Sequence, residues 1–223
     1  ITGVASSTVQ DALNHVAKRT CELEDVAFAF GPDPKNPQPI SAPNVVEAML
    51  SALGLKPGDK VLDIGTCSGW VAGLLGRLEE NGKVISIELL KELADIARNS
   101  LEKLGIMNVE VRNGNGLLGC EEEAPFDAIH VGGAFPGGLP ATFLAQLKQG
   151  GRIVISLDFE NMSAEREQVG LPSGATQALF LFEKTNDKSD PLSIEHSDVI
   201  QFPLMPISFV KLVNDDFTNV IIR

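Results

Sequence analysis

The sequence predicts an α/β protein: a doubly wound, mostly parallel sheet with helices on both faces. Short apolar runs of strand length alternate regularly with helical runs across residues 60–157. The first run ends in a glycine turn, Asp63-Ile64-Gly65-Thr66-Cys67-Ser68-Gly69, which leads into a helix. The next strand ends in a carboxylate, Glu88, 23 residues after Gly65. Sheets of this kind bind ligands at the carboxyl ends of their strands, and an acid about 20 residues past the turn accepts hydrogen bonds from ribose hydroxyls. The pattern marks a nucleoside site.

Each element follows from local pattern. Residues 8–23 place Val9, Leu13, Val16 and Ala17 on one side of a helix. Pro32, Pro34, Pro37, Pro39 and Pro43 make residues 28–43 a loop or an extended segment. A helix follows from Asn44, with Val45, Val46, Met49, Leu50 and Leu53 at helical spacing, and Lys56-Pro57-Gly58-Asp59 turns the chain into the first strand. Strands are predicted over 60–64, 83–88, 109–113, 126–132 and 151–157, with helices over 70–80, 90–104 and 140–149. Gly150-Gly151 reads as a helix C-cap before the fifth strand. Beyond Asp158 the alternation stops. Residues 161–173 read as a polar loop, and 175–183, 198–203 and 220–223 as further strands.

Composition narrows the class. With 43% hydrophobic residues in 223, the chain can bury a full core and does not resemble a disordered one. No apolar run approaches the roughly 18 residues of a membrane span, and no secretory leader is expected from the sequence as given. Cys21, Cys67 and Cys120 are odd in number and lack metal spacing, which suggests free thiols in a reducing, cytoplasmic setting and no metal site. The net charge of −12, with scattered Lys and Arg, argues against a nucleic-acid substrate.

A dinucleotide site requires G-x-G-x-x-G, so that a helix N-terminus meets a pyrophosphate. This turn instead reads G-x-C-x-G, with Asp63 ahead of it. It resembles the first motif of S-adenosylmethionine-dependent methyltransferases. The resemblance tightens at Ile40-Ser41-Ala42-Pro43, at Ala124-Pro125-Phe126-Asp127-Ala128-Ile129-His130-Val131-Gly132-Gly133-Ala134, and at Gln146-Leu147-Lys148-Gln149-Gly150-Gly151-Arg152-Ile153-Val154. Together these stretches are similar to the protein-L-isoaspartate O-methyltransferases, which methylate isoaspartyl residues of damaged proteins. The similarity covers residues 39–157, and Ile-Ser-Ala-Pro is its most family-specific part.

That resemblance implies S-adenosyl-L-methionine as cofactor, a Rossmann-like fold, and a damaged protein or peptide carrying isoaspartate as partner. By position it places Asp63, Gly65, Thr66, Cys67, Ser68 and Gly69 at the methionine end, Glu88 at the ribose with Leu89 beside it, and Gly114-Asn115-Gly116 at the adenine edge. Ser41 becomes the catalytic residue, a hydroxyl that fixes one oxygen of the acceptor carboxylate. One domain is expected, with residues 1–43 covering the acceptor, 44–157 forming the cofactor core and 158–223 completing the sheet. Departures from the family pattern are Cys67 for the middle glycine, Asn115 for aspartate, Asn44 for histidine, Trp70 for tyrosine, and a different approach to Ile-Ser-Ala-Pro. Two alternatives accompany this reading: a catalytically weak or inactive cofactor-binding interaction module, and a tRNA-adenine methyltransferase of the same fold.

Other reactive side chains have simpler readings. His130 lies inside an apolar strand and reads as a packed, hydrogen-bonded residue. Cys120 precedes Glu121-Glu122-Glu123, whose charges disfavour a thiolate, and the acidic run reads as a solvated loop. Oligomeric state has no signature in the sequence.

Overall fold

The computed structural model describes residues 28–30, 38–160, 162, 166–167, 170–187, 198–207 and 221–222. The helix expected over 8–23 lies outside the described residues. Strands β1 (Phe28–Phe30) and β2 (Gln38–Ile40) pair antiparallel ahead of helix α1 (Pro43–Leu53). There follow β3 (Lys60–Ile64), α2 (Trp70–Leu78), β4 (Lys83–Glu88), α3 (Lys91–Lys103), β5 (Val109–Asn113), β6 (Phe126–Pro136), β7 (Leu139–Pro140) and α4 (Ala141–Ala145). The last described elements are β8 (Leu147–Asp158), β9 (Gln177–Lys184), β10 (Val199–Ile207) and β11 (Ile221–Ile222).

Seven of these strands form one sheet in the order β10-β9-β8-β6-β3-β4-β5. The five from β8 to β5 run parallel, β9 runs antiparallel to β8, and β10 runs antiparallel to β9. From β3 the chain first builds outward through β4 and β5, then crosses to β6 and β8. The switch leaves a crevice at the carboxyl ends of β3 and β6.

Register decides what each face buries. Val61, Val84, Ala128 and Val154 share one cluster with Met49 and Leu50 of α1 and Leu74 and Leu75 of α2. Alternate positions, including Leu62, Ile85, Ile129 and Ile153, pack on the other face against Phe143 and Leu144 of α4. Ala94, Ala97 and Leu101 of α3 cover Val111 of β5. Burial on both faces explains the nearly continuous apolar strands. Asp63, Ser86 and His130 break that rule. All three are buried, and Asp63 lies opposite Ser86 on β4 and His130 on β6.

Several expectations need correction. The helix expected over 140–149 is only Ala141–Ala145. The sheet claims the chain immediately afterwards, since the Phe126 N–H donates to the Gln146 carbonyl (2.8 Å) and Leu147 pairs with Phe126. Gly150-Gly151 therefore caps no helix. It sits where the β6–β8 register jumps from Phe126↔Leu147 to Ala128↔Arg152. A Cβ on Gly151 would lie 2.8 Å from the Asp127 carbonyl, so no side chain fits there. β6 continues past Gly132 to Pro136, with a second register shift between His130 and Ala134. The proline-rich stretch 28–43 includes β1 and β2 as its extended part. β3, β4 and β5 match their expected bounds.

At the amino-terminal end of the sheet, Glu79 closes α2 with a wholly buried side chain. Its Oε2 accepts the Asp59 N–H (3.1 Å), while Oε1 has no partner among the described residues. Burial, followed by the charge of Asp59, raises this carboxyl to about 7. The folded chain thus holds the proton more tightly than the unfolded chain, whose value is near 4.5. The associated stabilisation is complete below about pH 4.5 and lost as pH rises through 7. Urea unfolding of Glu79→Gln from pH 5 to 8 will show the variant gaining on the wild type as pH rises, and parallel curves would contradict this.

Candidate active site

The carboxyl ends of β3, β4, β5 and β6 converge on the glycine turn. Gly65 (φ 88°) and Gly69 (φ 84°) occupy the left-handed region open to glycine. The Gly65 N–H donates to the Ile87 carbonyl (2.9 Å), tying the turn to β4. On β6, a Cβ at Gly132 would press the Gly65 and Ile64 carbonyls at 3.2 Å, so the strand ends meet backbone to backbone. Gly116 packs on Ile64, where a Cβ would come within 2.6 Å of the isoleucine side chain. The Gly114 N–H donates to the Glu88 carbonyl (2.9 Å). Glycines at 65, 116 and 132 therefore let the turn after β3, the loop after β5 and strand β6 meet at one point.

Glu88 sits at that point, 7% exposed. Its Oε2 accepts the Cys67 N–H (2.8 Å) and its Oε1 the Leu90 N–H (3.0 Å). A carboxylate has about four acceptor positions, so two remain for hydroxyl donors. Leu89, 50% exposed, and the exposed Leu90 flank it with apolar surface. Asn115 caps the short 3₁₀ turn Gly116–Leu118, its Oδ1 accepting the Leu117 N–H (3.0 Å). One lone pair of that oxygen is thus engaged, and its second lone pair and the two Nδ2 protons remain for a ligand.

Asp63 is placed differently from the expectation. It is 0% exposed and does not line the crevice. Ser86 Oγ donates to its Oδ2 (2.5 Å), and His130 Nδ1 lies 2.7 Å from its Oδ1. Thr66 Oγ1 in turn lies 2.6 Å from Ser86 Oγ. The first motif's acid acts on the turn from beneath. His130 is packed and hydrogen-bonded as its apolar strand implies, with Nε2 unpartnered among the described residues. Ser86 has no part in the sequence reading, and Gly132 enters it only as a member of the 124–134 stretch. The signal for Ser86 was a lone hydroxyl in Val84-Ile85-Ser86-Ile87, in register with Asp63.

Cys67 is the one non-glycine residue with positive φ (50°) among the described residues. Holding an L-residue there costs about 1–2 kcal/mol relative to right-handed backbone. Ser68 Oγ accepts the Trp70 N–H (3.3 Å), and Trp70 is buried in the cluster beneath α1 and α2, where the bulkier ring is absorbed into the core. Half-buried Ser41 stands between β2 and α1, two residues before Pro43. Helix α1 lies against β6 and β8, so Ser41 belongs to the same side of the sheet as Asp63 and His130.

The profile of the protein-L-isoaspartate(D-aspartate) O-methyltransferase family matches residues 2–204. The chain belongs to this family. It is 38% identical over 194 residues to a protein-L-isoaspartate O-methyltransferase of Methanococcus aeolicus, covering 86% of this chain and 78% of the relative. A Methanopyrus kandleri relative of the same name is 37% identical over 190 residues, covering 82% and 77%. Among solved structures, a protein-L-isoaspartate O-methyltransferase superposes with a TM-score of 0.72 at 24% identity, over 94% of this chain and 66% of that longer chain. A Plasmodium falciparum structure, described as a family member in complex with S-adenosyl-L-homocysteine, gives 0.67 at 22% identity, over 92% and 90%. At these identities the two structures attest to the fold.

Burial, then the charge of Glu88, pushes the Cys67 thiol up to about 11. Relative to a thiol at 9.0, its thiolate fraction at pH 7.5 is lower by about 100-fold. Iodoacetamide labelling followed by mass spectrometry will find Cys67 slow to alkylate at pH 7.5 and faster with each pH unit towards 11. Glu88→Gln, which removes the second cause, will speed the reaction. Labelling at the rate of a free thiol would refute the assignment.

Proposed function

We infer that this protein is an S-adenosylmethionine-dependent carboxyl O-methyltransferase acting on L-isoaspartyl groups of damaged proteins or peptides. The observation that carries the reading is Glu88, clamped by the Cys67 and Leu90 N–H groups at the topological switch of a family member. Its two remaining acceptor positions suit a vicinal diol such as a ribose. The glycine-lined meeting of β3 with β6 suits close approach of a ligand to backbone.

When bound, the cofactor supplies an electrophilic methyl group on a sulfonium. The chain's residues orient both partners around it. Glu88 holds the ribose hydroxyls, Leu89 gives apolar contact, Asn115 with Gly114 and Gly116 borders the adenine, and the turn from Gly65 to Gly69 holds the methionine end. Ser41 would donate a hydrogen bond to one oxygen of the acceptor carboxylate and so orient that group. A carboxylate is already ionised at neutral pH, so no general base is required. Positioning and exclusion of water carry the rate. The described histidine–acid pair, His130 with Asp63, is sealed in the sheet at 2% and 0% exposure and has no proton to take from an acceptor.

A role in protein repair and a cytoplasmic location accompany this reading. Among the described residues no helix is long and apolar enough to cross a membrane. Neither the tRNA-adenine alternative nor the inactive module is favoured by a family match running through residues 2–204.

Methyl transfer from labelled S-adenosylmethionine will label an isoaspartyl peptide and leave the matching aspartyl peptide at background. Equal labelling of the two would remove the assignment. Glu88→Ala loses charged hydrogen bonds to the ribose and should raise the cofactor Kd at least tenfold by calorimetry. An unchanged Kd would place the nucleoside elsewhere.

A further inference from the structure

Beneath the glycine turn, hydrogen-bond direction is fixed by counting protons. Asp63 presents a carboxylate that accepts and has nothing to donate. Ser86 Oγ donates its single proton to Asp63 Oδ2. It therefore has only lone pairs for Thr66, and in the 2.6 Å contact between the hydroxyls Thr66 must be the donor. His130 Nδ1 closes the other oxygen of Asp63 at 2.7 Å, which keeps Asp63 from turning to meet Thr66 directly. Asp63, Ser86 and His130 are buried within the strands, so water does not scramble the order, and Thr66, 3% exposed, is the member of the chain that lies in the turn itself. The Thr66 proton points inward, and whatever capacity its oxygen retains is acceptor capacity.

We propose that Ser86 is a positioning residue which polarises Thr66 Oγ1 into a hydrogen-bond acceptor for the methionine ammonium of the cofactor. This rests on the cofactor reading above and assigns recognition of one ligand group to one relay: Asp63 to Ser86 to Thr66. An ammonium has three protons and no lone pair, so it requires acceptors. A hydroxyl free to rotate would spend part of its time presenting a proton to that cation, whereas one whose proton is held by Ser86 does not. The relay also extends the influence of the buried Asp63 charge to the turn without exposing the carboxylate. Thr66 precedes Cys67, whose N–H holds Glu88, so the methionine and ribose contacts leave the same short turn.

The test couples protein variants to ligand chemistry in the full chain. S-adenosylhomocysteine and its analogue lacking the α-amino group are titrated calorimetrically into wild type, Ser86→Ala, Thr66→Val and Thr66→Ser. Ser86→Ala and Thr66→Val are expected to weaken S-adenosylhomocysteine about tenfold and the deamino analogue less than about twofold, as removal of one charged hydrogen bond requires. Thr66→Ser, which keeps the hydroxyl, should bind both as wild type does. Should Ser86→Ala fail to fold because it strands Asp63, Thr66→Val against Thr66→Ser decides alone. Equal weakening of the two ligands, or none, overturns the relay while the cofactor reading stands. Failure of wild type to bind either ligand overturns the cofactor reading, and the relay with it.

Discussion

A carboxylate enclosed in the sheet is the constraint on which the rest of the structure depends. Burying an ionised group without partners is prohibitive, and removing one partner of a satisfied group strands the other. Asp63 finds its partners on three separate pieces of chain: Ser86 on β4, His130 on β6 and, through Ser86, Thr66 in the turn. Satisfying it requires β3 to lie between β4 and β6 in one register, with the turn folded back over the strand end. A slip of one residue would carry Asp63 into the face covered by Phe143 and Leu144, where apolar side chains fill the space. The same contacts that meet the electrostatic demand thus specify strand order and the crevice above.

The crevice depends on a second constraint, steric rather than electrostatic. Gly65 against Gly132 and Gly116 against Ile64 are approaches at which a single methyl group would intrude. They bring the turn after β3 and the loop after β5 against each other and against β6. Around them the sheet is apolar on both faces, so the polar groups at its carboxyl end are the ones left for recognition.

Much of this was legible in the sequence because it is local. Period, run length and flanking Gly or Pro marked β3, β4 and β5, and the acid that closes β4 was read in its place, at the end of that strand. The less legible parts are those in which distant segments compete. Residues 146–149 have helical composition, yet pairing of Leu147 with Phe126 draws them into the sheet, and Gly150-Gly151 serves the register jump that results. Position in the motif suggested that Asp63 faces the ligand. Its actual direction depends on pleat parity and on two partners 23 and 67 residues away. Asn115 also gained a local partner that its motif position does not show, the Leu117 N–H of the turn that begins one residue later.

The cysteine at the centre of the glycine turn has one more consequence. The thiolate is the form of sulfur that attacks a peroxide oxygen, and the ladder from sulfenic to sulfonic acid begins there. A cysteine in so tight a turn is a place where that ladder would matter. Here the neighbouring negative charge and the dry surroundings keep the proton on sulfur, so the side chain behaves as a small hydrophobe. A cysteine can therefore stand at this position of the turn without introducing a reactive sulfur there.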